Sequence, residues 1–265
     1  SGTAVTNNTA TSVVVNTEAQ AISTIANASK AFVDLNVANA TTLTFNNAQA
    51  VELTGSSGAA LDGSTKVTSI VATGAGNLAL NKVANADKLE LIDASTATGR
   101  LSVTIPATPD SGMTVKGGSG NDTVTLDGAI ASKVVLGATK TTSIALGAGN
   151  DSVLKGSSGA INAGSYVDGG EGNDTIAASL LTGSNAALIV NFETLGLDLT
   201  SGSYDTNLLV GATDLAMLAR GGSYTGVEQG QALQIRSGKA TADETGTTTI
   251  GFTASTVTGT ADAYT

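Results

Sequence analysis

Three short stretches of the sequence combine glycine, asparagine and aspartate in nearly the same order. They read GGSGNDTVTL at 117–126, LGAGNDSVL at 146–154 and GGEGNDTIAAS at 169–179. Glycine loses more backbone entropy on folding than other residues, so its repeated use calls for a compensating interaction. Carboxylates, together with carbonyl oxygens that glycine can turn inward, are the ligands of a hard divalent cation. The pattern therefore predicts a Ca²⁺-binding region that contains Asp122, Asp151 and Asp174.

The remaining composition favours calcium over other metals. The chain has no histidine and no cysteine, so zinc and copper lack their usual ligands. Magnesium is the alternative, but it prefers water ligands and stricter geometry. A simpler interpretation is a tight turn, because Gly, Asn and Asp are common turn residues. Three copies, each followed by a hydroxyl residue and then an aliphatic one, favour the metal.

Two of these stretches resemble a known repeat. GGSGNDTVT and GGEGNDTIA are similar to the nonapeptide G-G-x-G-x-D-x-U-x of the calcium-binding repeats-in-toxin (RTX) family, while the middle stretch departs at Leu146. The resemblance implies a parallel β-roll folded by Ca²⁺ outside the cell and export by type I secretion. Because degenerate coils interrupt the tandem, we expect only one or two complete sites. The ligands implied by the family pattern are Gly118, Gly120, Asp122, Gly147, Gly149, Asp151, Gly170, Gly172 and Asp174.

The elements that would carry these loops are short strands in a repeating order. Valine, threonine and isoleucine favour strands, and 33 glycines favour turns. From residue 117 the chain can be written in tens, each starting with Gly or Asp-Gly and ending in an alternating strand. Parallel strands with such short connections fit only a solenoid. We predict an all-β fold, a right-handed parallel β-solenoid or β-roll with coils of about twenty residues.

This period also predicts which loops meet. The loops that begin at Gly147 and Gly169 would stack, so that Asp151 and Asp174 share an ion, with Asp127 at the same edge. The loop containing Asp122 would lie against residues 137–142.

That second pairing predicts a weaker site, because 137–142 offers Lys140 and no carboxylate unless Asp110 contributes from 107–112. Asp62 and Asp168 are interpreted as turn or surface charges.

The chain divides into three predicted regions. Solenoid-like repeats occupy 1–116, RTX-type calcium coils occupy 117–200, and a small β-rich cap or second domain occupies 201–265. Residues 16–32 are predicted as a short helix or irregular coil, and 214–220 as a short helix. The start at Ser1 and the strand-like ending suggest a processed product or a fragment.

Charge and composition narrow the possible functions. The net charge is −10, which disfavours nucleic acid and anionic membranes, and no apolar run is long enough to span a bilayer. Without His or Cys, a Ser-His-Asp triad or a Cys-His pair cannot form. A calcium-dependent β-helical polysaccharide lyase would need an arginine or lysine base, for which Arg100, Arg220 and Arg236 are the candidates. None lies within 117–177, so we predict a protein that is not an enzyme.

A second, compositional resemblance concerns the whole chain. Its Ala-, Thr-, Gly- and Ser-rich, aromatic-poor body is similar to RTX-bearing bacterial surface-layer (S-layer) proteins. This implies a secreted structural protein of the cell surface that assembles with itself into a two-dimensional lattice with Ca²⁺, with other regions as candidates for contact with surface polysaccharide. The alternative is an RTX module of a secreted adhesin, toxin or enzyme.

Overall fold

The fold is that of a computed structural model of the chain. It describes residues 3–17, 31–53, 61, 64–83, 88–106, 112–130, 133–135, 138–140, 143–219, 221–228, 231–234 and 249–252. The predicted helix or coil at 16–32 lies largely outside these residues, and so do Asp62, Asp110, Arg220 and Arg236.

The molecule is built from parallel strands stacked as a β-solenoid of about seven turns, with almost no helix. This confirms the predicted fold class. The longer of its two main sheets has eleven strands, and their spatial order follows the chain. They are β1 (Thr3–Thr6), β3 (Ala31–Asn36), β5 (Val51–Leu53), β7 (Leu78–Leu80), β9 (Leu101–Ile105), β11 (Thr123–Leu126), β16 (Ser152–Lys155), β19 (Thr175–Ala177), β21 (Thr194–Leu197), β23 (Asp214–Met217) and β25 (Ala232–Gln234).

The second main sheet has eight strands, and three small sheets complete the strand inventory of the described residues. The eight are β2 (Ser12–Thr17), β4 (Thr42–Asn47), β6 (Ser69–Gly74), β8 (Leu91–Ala97), β10 (Thr114–Lys116), β15 (Ser143–Ala145), β18 (Tyr166–Asp168) and β20 (Ile189–Val190). The small sheets are β12 (Ala129–Ile130) with β17 (Ala160–Ile161), β13 (Lys133–Val135) with β14 (Ala138–Lys140), and β22 (Ser203–Asp205) with β24 (Ser223–Val227) and β26 (Thr249–Phe252). Short 3-10 helices lie at Ala178–Leu180, Ala186–Leu188 and Thr206–Leu208.

Alternation of buried and partly exposed side chains along strands such as β4 explains the core. In β4 the side chains of Leu43 and Phe45 are buried, while those of Thr42 and Thr44 are partly exposed. Side chains in a strand point to opposite faces in turn, so such strands contribute aliphatic groups to the interior and hydroxyl groups to the surface. The core is thus a stack of thin Val, Leu and Ile layers that only neighbouring coils can complete.

The coils differ in length, and this corrects the period of ten. Thr123 pairs with Ser152 and Ser152 pairs with Thr175, so successive coils span 29 and 23 residues. The difference arises because β13 and β14 form an antiparallel hairpin with each other and join neither main sheet. The prediction that each ten from residue 117 ends in a strand of a solenoid coil is therefore wrong for 127–136, where β13 belongs to the hairpin. The hairpin has the same Val- and Thr-rich composition as a coil, which the periodicity could not distinguish.

The predicted helix at 214–220 is also wrong over its described part, since Asp214–Met217 is strand β23. It pairs with β21 on one side and β25 on the other, and these two ladders outweigh the modest helix preference of Leu, Ala and Met. The longer sheet thus continues across residue 200. In the part of the chain that the structure describes, no helix has the length and apolarity needed to cross a membrane.

Candidate metal centre

The acidic motif residues form one column across the longer sheet, and each lies directly before a strand of that sheet. Register places Leu78 opposite Leu101, and the pairing of Ser102 with Thr123 places Leu101 opposite Asp122. The same reasoning extends the column through the next three coils. It runs Val51, Leu78, Leu101, Asp122, Asp151, Asp174 and Glu193.

We call its acidic part, Asp122, Asp151, Asp174 and Glu193, the carboxylate column. The three aspartates are as buried as the aliphatic residues before them, at 1%, 1% and 0% exposure. A core position thus changes from hydrocarbon to carboxylate between one coil and the next.

Hydrogen bonds from main-chain N–H groups to carboxylate oxygens connect the carboxylate column from coil to coil. The N–H of Asp122 donates to Oδ1 of Asp151 at 2.6 Å, and the N–H of Asp151 donates to Oδ1 of Asp174 at 2.7 Å. The N–H of Asp174 donates to Oε2 of Glu193 at 2.9 Å. At the other end the N–H of Leu101 donates to Oδ1 of Asp122 at 2.7 Å. Each carboxylate therefore holds the preceding coil in register.

A second ladder of asparagine side chains runs beside the first in the opposite sense. The N–H of Asn150 donates to Oδ1 of Asn121 at 2.9 Å, and the N–H of Asn173 donates to Oδ1 of Asn150 at 3.0 Å. The Thr194 hydroxyl then donates to Oδ1 of Asn173. This explains the asparagine of each GND triplet, which the sequence motif alone leaves as a variable position.

The second oxygens of two aspartates have no partner. Oδ2 of Asp151 and Oδ2 of Asp174 are buried and accept no hydrogen bond, whereas Oδ2 of Asp122 accepts one from the Gly118 N–H at 2.8 Å. A buried polar atom without a partner costs about 1–3 kcal/mol, and more when it is charged. Each of these oxygens therefore lacks the partner that a proton, a water molecule or a cation would supply.

The burial of Asp151 and Asp174 raises the pKa of each carboxyl group. Burial raises the pKa of Asp151 to about 7, and the charges of Asp122 and Asp174 add to the effect against the opposing Asp122 N–H bond. Burial likewise raises the pKa of Asp174, with contributions from the charges of Glu193 and Asp168 and opposition from the Asp151 N–H. Without a cation, ionised carboxylates in this column are unfavourable.

Glycine conformation separates the loops into two kinds. Gly147 and Gly170 have φ of 97° and 103°, and Gly149 and Gly172 have φ of 131° and 138°. These two loops thus repeat one backbone shape that side-chain-bearing residues rarely adopt. Gly118, the equivalent of Gly147, does not have a positive φ, and its N–H points at Asp122 instead.

The residues of the column carry oxygen atoms, which are the ligand atoms that a hard cation prefers. Two buried carboxylate oxygens lack partners, whereas the loop carbonyls of Gly118, Gly147 and Glu171 each already accept a main-chain N–H. Among the described residues no three acidic side chains converge on one point as a metal-binding group. An ion here would therefore combine Asp151 and Asp174 with main-chain oxygens and water, as a calcium coordination of about six to eight oxygens allows.

The contacts predicted for Asp122 and Asp127 differ from those in the structure, whereas the predicted stacking of two loops is present. Asp122 does not stack on the 137–142 loop but on Asp151, so the pairing with Lys140 is wrong. Asp127 is not at the same edge: it follows β11, at the opposite end of the strand from Asp122, and accepts hydrogen bonds from the N–H and hydroxyl of Ser157. The stacking of the loops at Gly147 and Gly169 is confirmed by the bridge between Ala148 and Glu171.

Two residues near the column were not expected from the sequence. Glu193 extends the carboxylate column by one coil, and its position directly before Thr194 matches that of Asp174 before Thr175. Arg100 lies against the first motif, where its Nη2 donates to the Thr123 hydroxyl at 2.8 Å. Neither carries the glycine pattern, and so only the strand register reveals them.

Comparison of the chain with protein-family models, with curated proteins and with solved structures gave no match.

Proposed function

We propose that this chain is a calcium-binding structural protein in which Ca²⁺ stabilises the solenoid. The observation that carries the proposal is the pair of buried, unpartnered oxygens on Asp151 and Asp174, in adjacent coils with the same glycine conformation. The carbonyls of the glycine loops supply further oxygens of the kind that calcium prefers. The RTX resemblance of the motifs supports the same ion.

The cellular role that we propose is self-assembly into an S-layer lattice on the outside of a bacterial cell. Its support is the compositional resemblance, the repetitive solenoid and the net charge of −10. A divalent cation reduces repulsion between such acidic copies, so calcium would act both within the fold and in assembly. An RTX module of a secreted adhesin, toxin or enzyme is the alternative that shares the ion but not the lattice.

Thermal unfolding tests the role of the ion. At a free Ca²⁺ concentration about a hundredfold above Kd, binding adds about 2.7 kcal/mol, which raises the midpoint by roughly 5–10 °C for a chain of this size. Magnesium at the same concentration is the control and should give a smaller shift. Superimposable curves in calcium and chelator would contradict calcium stabilisation.

Electron microscopy of the purified protein tests the lattice. We expect ordered sheets after addition of millimolar calcium and their loss on chelation. Protein that is stabilised by calcium yet stays monomeric by light scattering would contradict the S-layer role and favour the module of a larger secreted protein.

A further inference from the structure

The three aspartates of the carboxylate column differ in how their oxygens are satisfied. At Asp122 both carboxylate oxygens accept main-chain hydrogen bonds, from Leu101 at 2.7 Å and from Gly118 at 2.8 Å. At Asp151 and Asp174 only one oxygen of each does so, and the other is buried without a partner. Asp122 has the matching motif, but the protein already satisfies it.

An exposed cation, Arg100, also lies at the Asp122 end. The Arg100 guanidinium donates to the Thr123 hydroxyl at 2.8 Å, directly after Asp122 in the chain. Burial raises the pKa of Asp122 above its ordinary value, and the Leu101 and Gly118 N–H groups and the Arg100 charge offset only part of that rise.

The same column is apolar in every described coil from β5 to β9. Val51, Leu78 and Leu101 fill it at 2%, 2% and 1% exposure. Hydrocarbon packing completes these coils without any ion, because each aliphatic side chain is covered by those of its neighbours. The need for an external charge therefore arises only where the unpartnered oxygens begin.

We propose that cation dependence starts after β11: both carboxylate oxygens of Asp122 are satisfied within the protein by the Leu101 and Gly118 N–H groups, so the coils up to β11 are stable without Ca²⁺, whereas the coils of β16 and β19 that stack on them are stabilised by Ca²⁺. The inference rests on the proposed function, since it assigns where along the solenoid the same ion acts. It gives Asp122 a structural role and leaves Asp151 and Asp174 as the side-chain ligands.

Hydrogen exchange of the full chain, resolved by segment and measured in calcium and in chelator, tests this boundary. We expect chelation to speed exchange of the β16 and β19 amides by at least about tenfold, because local opening becomes easier when the stabilising ion is absent. Exchange in β7 and β9, which do not pair with β16, should change by less than about twofold. Loss of protection in β9 equal to that in β16 would overturn the inference and leave the proposed function intact. No change in any segment would overturn both.

Matched variants test the same boundary by calcium titration calorimetry. Asp174→Asn should weaken Ca²⁺ binding by at least about tenfold, whereas Asp122→Asn should change it by less than about threefold. Equal losses would show that Asp122 is a ligand and overturn the inference. Because either variant could lose its fold, the wild-type exchange experiment decides independently.

Substitution of Arg100 gives a third readout. In chelator, Arg100→Gln should speed exchange in β11 by about threefold, since a charge-assisted contact is lost. Lys116→Gln is the control: Lys116 is an exposed cation on the other sheet that pairs with Asp93 at 3.1 Å. Equal responses in β11 would remove Arg100 from the account.

Discussion

At the scale of single residues, the carboxylate column is an exception to the usual rule for cores. Buried polar atoms are nearly always hydrogen-bonded, yet Asp151 and Asp174 each keep one oxygen without a partner. The motif spacing predicted that these two aspartates would meet, and the described loops bring them into adjacent coils. What the sequence could not indicate is that the equivalent Asp122 is already satisfied, because that depends on the direction of one peptide N–H at Gly118.

Substitution at Gly172 should be destabilising whether or not the ion is bound. Gly172 has φ of 138°, and an added Cβ would overlap the carbonyl oxygen of Gly149 in the neighbouring coil. We expect Gly172→Ala to lower the free energy of unfolding by about 2–4 kcal/mol, measured by urea denaturation. Gly183→Ala is the matched control, since nothing lies within 4 Å of the position that its new methyl group would take, and its effect should stay within about 0.5 kcal/mol. Equal effects of the two changes would mean that the loops at Gly149 and Gly172 do not stack on each other.

At the scale of elements, the solenoid was predictable because its signal is repeated in every coil. Alternation within strands such as β4 and glycine at the loops specify facing parallel sheets without reference to any distant contact. The register was less predictable. Hairpin β13–β14 is inserted into one coil, and β23 pairs as a strand although its own sequence favours a helix. Both outcomes depend on which neighbours are present, and a single-sequence pattern does not contain that information.

Removal of the hairpin should leave the solenoid intact. Ile130 pairs with Ile161, and Ser143 pairs with Tyr166, so 131–142 connects the same points that 162–165 connects in the next coil. We expect that replacing 131–142 by the shorter Asn-Ala-Gly-Ser of 162–165 preserves the fold, with a midpoint change of less than about 5 °C and the calcium response retained. The measurement is thermal unfolding by circular dichroism. A variant that fails to fold would show that the hairpin packs as an essential part of its coil.

At the scale of the whole molecule, stacked coils make stability a sum of contacts between neighbours. A net charge of −10 and the buried carboxylates oppose this stacking until a cation is present. The sequence could predict the charge and the motif, but the balance depends on burial, which only the folded arrangement provides.

Stability should therefore fall as pH rises without calcium and change little with pH when calcium is bound. In chelator, Asp151 has a pKa of about 7 in the fold, against 3.8 ordinarily. Between these values the folded protein holds a proton that the unfolded chain has released, so the free energy of unfolding should fall as pH rises from about 4 to about 7, by on the order of 1–4 kcal/mol. In saturating calcium, both the bound fold and the unfolded chain hold Asp151 ionised over this range, so stability should change little with pH. Urea denaturation at several pH values checks this, and parallel pH profiles in the two conditions would contradict it.

The most direct measurement of the central claim is an anomalous difference map from a crystal grown in calcium, with data collected at a wavelength where Ca²⁺ scatters anomalously. The account predicts a peak between the loops 146–151 and 169–174, within about 2.3–2.6 Å of an oxygen of Asp151 or Asp174. A map in which both loops are ordered and stacked, with no peak between them at saturating calcium, would contradict it.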